Sequence, residues 1–321
     1  MDMDYLLWLQ SLRQTLGIYA DLFFNFISFI GIAAVGMIAY IYWCRDKQKG
    51  KYLLASFMIG DSLNSTLKDT ICAYRPWKRD PRIIPSSMAL PTAGGYSCPS
   101  GHTLTATTVF GGTALQNRFN KKLKWGMILL IVLIGFSRNY LGVHTPQDVL
   151  LAFGEGILIL FLVQKLFDWY PKKQRNDTAI LCIGLMIVAV LIVYTLCKSY
   201  PLTYDAGGAL DVDPAAMQAD AMKSYGMFSG TLLGWYFEKK YVNFSTDNMS
   251  GKKQILRLTV GLIITGALYL LVGIVTKKFF DLRLAKFLET ICAAFGAVYL
   301  APLVFNRLEK KQGRQHSTSL C

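Results

Sequence analysis

"WGMILLIVLIGFSRNYLGVHTPQDVL", residues 125–150, runs from an apolar stretch straight into Arg138, His144 and Asp148. The stretch "MILLIVLIGF" reads as a helix at home in hydrocarbon. Each of the three polar residues that follow is costly to hold beside it. Something in the fold must offset that cost, and the remainder of the chain shows what.

Comparable apolar blocks fall near 18–43, 52–72, 103–117, 125–142, 149–169, 179–197, 221–237, 258–276 and 284–305. Spanning a bilayer takes ~20 mostly apolar residues. The count is therefore about nine membrane helices, with the third block short and the seventh weakly apolar. Of 321 residues 53% are hydrophobic and only 17% are charged, against ~25% charged in an ordinary soluble domain. The expected fold class is all-α: a polytopic membrane helical bundle without a soluble module, linker or clear internal repeat.

The net charge of +14 invites a nucleic-acid reading, but its distribution excludes one. Basic residues gather in alternate connections: "RDKQKGK" (45–51), "RFNKKLK" (118–124), "KKQR" (172–175), the stretch 239–257 and "RLEKKQGR" (307–314). The bias of Lys and Arg toward cytoplasmic loops puts these inside. With nine spans the N-terminus then lies outside, and the C-terminus lies in the cytoplasm. Trp43, Trp77, Trp125 and Trp169 stand at span ends, as an interfacial aromatic belt requires. The first 17 residues lack the basic start of a signal peptide, and "LLWLQSL" reads as an interfacial helix. Seven cysteines show no metal-ligand spacing. Cys182, Cys197 and Cys292 read as packing residues. Cys72 and Cys98 flank one outward segment and are candidates for pairing there, although nothing in the spacing fixes their distance.

Two further polar clusters reach the same outer end as 136–150. "KDTICAYRPW" closes the second block with Lys68 and Arg75. Seven residues apart, they are expected on one helical face, with Pro76 ending the helix. A planar guanidinium and a point-charge ammonium together suit a phosphate; snorkelling cations at a helix end are the alternative. "CPSGHT" opens the third block. Ser100 marks a helix start, Gly101 lets backbone approach a ligand, and free N–H groups at such a start bind anions. His102 falls in the first turn. The alternative there is an N-cap serine beside an incidental histidine, yet two of the three histidines in the chain, His102 and His144, lie in these clusters, with His316 in the tail. Asp148, four residues after His144, is placed to orient one imidazole nitrogen and leave the other as nucleophile, or to cap the helix begun by "TPQD", or both.

Lys68-x6-Arg75-Pro76, Pro99-Ser100-Gly101-His102 and Ser137-Arg138-x5-His144-x3-Asp148 together resemble the three signatures of the type 2 phosphatidic acid phosphatase (PAP2) superfamily. Their order and internal spacing are complete. The resemblance covers residues 68–148, and the outer spans are similar, more loosely, to bacterial membrane members with about nine spans. It implies a six-helix phosphatase core and a reaction through a phosphohistidine. His144 would attack phosphorus, oriented by Asp148, and His102 would protonate the leaving oxygen. Lys68, Arg75, Ser100, Gly101 and Arg138 would hold the phosphoryl oxygens. No metal and no cofactor is implied.

The expected organisation is an interfacial segment at 1–17, a catalytic membrane core at 18–200, an outer loop with further membrane helices at 201–305, and a basic cytoplasmic tail at 306–321. The acidic outward stretch 198–220 reads equally as a lid or as a solvated loop. Asp61 and Glu155, ionisable residues inside spans, belong to no motif and are candidates for shaping a substrate path. The expected activity is hydrolysis of a lipid phosphate monoester or pyrophosphate (polyprenyl, phosphatidic acid type or sphingoid) at the outer membrane surface, with the bilayer as the other partner. Two alternatives share the motifs: a membrane sugar-phosphate phosphatase similar to the glucose-6-phosphatases, and a phosphotransferase or lipid-phosphate binding or transport protein.

Overall fold

The computed structural model describes residues 2–116, 120–170, 176–205 and 207–318. The basic segment 172–175, residues 118–119 and the last three residues of the tail lie outside the described residues. The regular structure of the described residues is helical, with one isolated β-bridge between Tyr204 and Leu210. Helix α1 (Asp2–Tyr40) is broken at Gly17, whose φ of 73° takes it out of the helical region, and it runs on through a π-turn at Ile41–Arg45. There follow α2 (Lys47–Ile71), the single turn α3 (Pro76–Arg79), and α4 (Gly101–Ala106) joined by the π-turn Thr107–Gly111 to α5 (Gly112–Gln116). Next come α6 (Lys121–Tyr140), α7 (Pro146–Trp169), α8 (Asp177–Cys197), α9 (Pro214–Phe237), α10 (Gly251–Phe279), α11 (Leu282–Phe295) and α12 (Ala301–Thr318).

Each of the nine apolar blocks falls on a helix over most of its described residues. Among the described residues six stretches are long and apolar enough to cross a membrane: Asp2–Arg45, Lys121–Tyr140, Pro146–Trp169, Asp177–Cys197, Gly251–Phe279 and Leu282–Lys310. The other three carry the polar load. Helix α2 holds Asp61, Asn64, Lys68 and Asp69, and α9 holds Gln218, Asp220 and Lys223. The α4–α5 segment is only 16 residues long.

Helix starts follow local chemistry. Asp46 accepts from the N–H groups of Gln48 and Lys49 at 3.0 Å each, and Asn120, Asn176 and Asp281 cap α6, α8 and α11 in the same way. The main core sits between α1, α2, α4–α5, α6 and α7, around Ile27, Leu53, Phe57, Leu104, Ile134 and Ile159. Helix α9 packs along α11, where Gly226, Gly230 and Gly234 face it: a Cβ on Gly230 would lie 2.3 Å from the Ile291 carbonyl oxygen. Small residues at four-residue spacing are what lets two membrane helices approach this closely.

The two ends of the bundle differ in chemistry. At one end Lys47 is buried against Glu238 at 2.6 Å and donates to the Phe244 carbonyl at 2.9 Å. Arg257 pairs with Glu309 at 2.7 Å and 2.9 Å, and donates to the Trp43 carbonyl. Lys239 bonds Asp177 and the Tyr170 hydroxyl there. The α1–α2 connection, Tyr170 and Asp177 at the facing ends of α7 and α8, the α9–α10 connection and Glu309 of α12 thus share one end. The segment 72–100, the α6–α7 turn and the described residues of 198–213 occupy the other.

The N-terminal segment is more than an interfacial strip. Leu6 and Leu9 are buried in a cluster with Ile83, Tyr140, Leu141 and Val143, and Gln10 clasps the 82–84 backbone through both of its side-chain polar atoms. The acidic segment is fastened on both sides of its tip: Thr203 donates to the Tyr74 hydroxyl at 2.7 Å, Asp211 pairs with Lys78 at 2.8 Å, and Val212 and Met217 pack on Tyr96. The described residues of the tip are exposed.

Candidate active site

Helix α2 ends where Cys72 takes a left-handed conformation (φ 52°) and its N–H returns to the Lys68 carbonyl. Arg75 therefore does not lie on the same helical face as Lys68. It precedes α3, whose first residue is Pro76, so that proline starts a helix rather than ending one. The two cations meet by a different route. Arg75 folds back under the 94–97 backbone, donating to the carbonyls of Gly94 (2.6 Å), Gly95 (3.1 Å) and Val143 (3.0 Å). Lys68 reaches the carbonyls of Tyr96 (3.3 Å) and Ser97 (3.4 Å). Cys72 and Cys98 are both free thiols, which corrects the candidate pairing. Cys72 Sγ donates to the Asp69 carbonyl and accepts from Lys198.

Ser100 is fully buried at the N-cap of α4, its N–H bonded to the Asp148 carbonyl at 3.0 Å. This bond ties the second cluster directly to the third. Gly101 and His102 form the first turn. No described residue hydrogen-bonds the His102 ring, which lies within electrostatic reach of Arg138, His144, Lys68 and Arg75. Gly31 of α1 backs it, since a Cβ there would lie 3.4 Å from the His102 carbonyl oxygen.

His144 sits in the turn between α6 and α7, 2% exposed. Its Nδ1 is 3.3 Å from Asp148 Oδ2, and its Nε2 is 3.0 Å from Arg75 Nη1. Both contacts are satisfied when Nδ1 carries the proton and Nε2 keeps its lone pair. The same Asp148 oxygen accepts from the Thr145 N–H at 2.8 Å in a capping box, so the two readings of this aspartate coincide in one atom. Burial first, and the Arg75 charge next, hold His144 well below the usual imidazole value, outweighing its hydrogen bond to Asp148. Burial likewise lowers Arg75 to about 10, which leaves it charged at neutral pH.

Arg138, at the end of α6, is 1% exposed. Its one bond is to Ser28 Oγ of α1 at 2.7 Å, and Nε and Nη2 have no partner among the described residues. A buried guanidinium with two open nitrogens is costly unless an anion completes it. These contacts bring the three sequence clusters together: Arg75 meets His144, Ser100 meets Asp148, and Lys68 and Arg75 share the 94–97 backbone.

Four contributors carry no signal in the motifs. Ser97 donates to Asp148 Oδ2 and stands 3.4 Å from His144 Nδ1; it falls one residue before "CPSGHT". Asn139 fixes the turn by donating to the His144 carbonyl at 2.9 Å. Ser28 holds Arg138 from a helix distant in sequence. Asn64 donates to Glu155 at 2.9 Å beside Gly101, which places Glu155 under the start of α4. Asp61 points instead toward Ser224 of α9.

Fold and site together point to a multi-pass membrane protein that gathers two histidines and three buried or half-buried cations at one end. Residues 49–173 match the PAP2 superfamily, and residues 222–314 match the transmembrane extension of PAP2 superfamily phosphatases. Phosphatidylglycerophosphatase B of Bacillus subtilis is 32% identical over 155 residues, 46% of this chain and 70% of that protein. Undecaprenyl-diphosphatase of Sulfolobus acidocaldarius is 31% identical over 131 residues, 40% of this chain and 61% of that protein. Sphingosine-1-phosphate phosphatase 1 of Rattus norvegicus is 27% identical over 161 residues, 48% of this chain and 36% of that protein. No solved structure matches. The chain belongs to the PAP2 superfamily of membrane phosphatases.

Proposed function

We propose that this chain is a metal-independent lipid phosphate phosphatase, acting at the outer surface of the cell membrane on a phosphate monoester or diphosphate with a long apolar chain. The observation that carries the reading is the His144 ring, with one nitrogen on Asp148 and the other facing Arg75. In the proposed reaction Arg75, Arg138 and Lys68 and the N–H groups at the start of α4 take the phosphoryl oxygens. The His144 Nε2 lone pair forms the N–P bond as the P–O bond to the lipid breaks, and Asp148 balances the imidazolium. His102 gives its proton to the departing oxygen, then removes one from water. That water attacks the phosphohistidine, releasing inorganic phosphate and free His144. Fixed cations and dipoles aimed at the developing charge supply electrostatic stabilisation, and a well-placed proton donor adds ~10²–10⁴-fold.

The three relatives described above support a lipid substrate, since each is named for a lipid phosphate or polyprenyl diphosphate. The test is phosphate release from polyprenyl, glycerolipid and sphingoid phosphates, with a hexose phosphate alongside, in detergent containing EDTA. Lipid turnover that survives EDTA and is lost in His144→Ala is expected. Turnover of the hexose phosphate alone would move the reading to a sugar phosphatase, and label passed to a lipid acceptor instead of water would make it a transferase.

A further inference from the structure

Below the pocket, between α1 and α2 on one side and α9, α10 and α11 on the other, lies an almost wholly apolar cavity of about 480 Å³, within the ~300–1,000 Å³ of small-ligand sites. Val35 and Ile38, Leu54 and Phe57, Leu270 and Ala294 represent its walls, and Lys223 is its one charged lining residue. Two helix stripes join this cavity to the candidate site. On α1 the stripe is Ser28, Gly31, Val35, Ile38 and Tyr42. On α2 it is Lys68, Asn64, Asp61, Phe57 and Leu54. Both follow the three- and four-residue spacing that puts side chains on one helical face. The outer end of the first holds Arg138 and backs His102; the outer end of the second is Lys68 itself. At 1.5 Å per residue, Val35 lies ~6 Å below Gly31, and Phe57 lies ~16 Å below Lys68. A phosphate on the three cations would therefore sit at the head of two walls, polar at Asn64 and Asp61, whose lower ends line the apolar slot.

We propose that this slot holds the hydrocarbon chain of the phosphate substrate, so that α9–α11 form half of a chain-binding site. The inference rests on the lipid phosphatase reading. The surrounding bilayer is as apolar as the slot, so its contribution is orientation of the reacting phosphate rather than burial of the chain.

Two glycines make the test clean. Gly36 and Gly266 both line the slot, and a Cβ on either would meet no heavy atom within 4 Å. Gly36→Phe and Gly266→Phe therefore start from backbone positions with room for a Cβ and add bulk to the slot, and neither residue belongs to the catalytic site. The experiment measures kcat/KM of wild type and both variants on one headgroup carrying a long or a short chain. In parallel, a lipid phosphate with a chain-end diazirine is photocrosslinked, and a choline phospholipid with the same chain serves as comparison. Expected are a long-to-short ratio lowered by on the order of tenfold, as lost orientation produces, with short-chain turnover kept, and phosphate-lipid crosslinks on α1 and α10 that the variants lose. An unchanged ratio, or equal labelling of the slot by the choline lipid, overturns the proposal while leaving the phosphatase reading standing. Absence of lipid turnover in wild type overturns that reading instead. Crosslinks outside the slot reject the slot whatever the activity.

Discussion

At the residue scale, the chemistry turns on one oxygen. Asp148 Oδ2 receives the Ser97 hydroxyl, the Thr145 N–H and His144 Nδ1 together, which holds a single imidazole tautomer and leaves Nε2 unprotonated, its lone pair turned to Arg75 Nη1, the nitrogen that attacks phosphorus in the proposed reaction. Asp148→Asn keeps the shape but supplies an amide that no longer favours that tautomer. Phosphate release is expected to fall ~10²–10⁴-fold with little change in KM, by analogy with the orienting aspartate of hydrolase triads; a kcat within twofold of wild type would reject the role. The pH dependence has a definite sign. Burial and Arg75 lower the His144 value, so the neutral nucleophile persists below its ordinary ~6.5. The acid limb of kcat/KM should accordingly lie below pH 6.5, and the residual activity of Arg75→Gln should show that limb moved upward. An unmoved limb would mean that Arg75 does not act on this ring. Of these contacts the sequence announces the histidines, the cations and Asp148, because their spacings are local. Ser97 and Ser28 are silent. A serine becomes informative only through the partner it meets, and Ser28 meets Arg138 across 110 residues.

At the element scale, apolar blocks and caps are readable because each depends on neighbours in sequence. The break of α2 at Cys72 is less so. A left-handed cysteine gives no composition cue, and an even helical spacing from Lys68 to Arg75 suggests a shared face that the backbone does not provide. Helix α9 was weakly apolar for a reason that periodicity alone conceals: Gly226, Gly230 and Gly234 serve contact with α11, and Thr290 and the carbonyls of Phe287 and Ile291 fill the space where their side chains would be. Overpacking a close interface typically costs ~1–3 kcal/mol. Gly230→Leu should therefore lower the thermal midpoint of the purified protein, whereas Gly154→Leu, with nothing within 4 Å of its Cβ, should leave it unchanged. Equal midpoints for the two variants would contradict the packing account.

At the scale of the whole molecule, the described basic residues Lys47, Lys239 and Arg257 and the candidate site occupy opposite ends. Lys47–Glu238 and the Arg257 bond to the Trp43 carbonyl fasten the extension α9–α12 to the first two helices at the basic end, Arg257–Glu309 ties α10 to α12 within the extension, and the Lys78–Asp211 pair joins the two long segments at the other. Charge bias among loops could announce which connections share a side, but not that Lys47 and Arg257 are themselves consumed in ion pairs, because their partners lie about 190 and 50 residues away. With basic loops inside, a cysteine at exposed Ser87 in a cysteine-free background should react with a membrane-impermeant maleimide in whole cells. One at exposed Asn248 should react only after permeabilisation. The reverse pattern would turn the pocket toward the cytoplasm.

The most direct measurement is rapid-quench mass spectrometry of the wild-type enzyme mixed with a lipid phosphate, under alkaline conditions that preserve N–P bonds. A transient phosphoryl group on His144, absent from His144→Ala and longer-lived in His102→Asn, is the predicted result. Phosphate release with the label on another residue, or with no phosphoenzyme at any time in either the wild type or His102→Asn, would contradict the account.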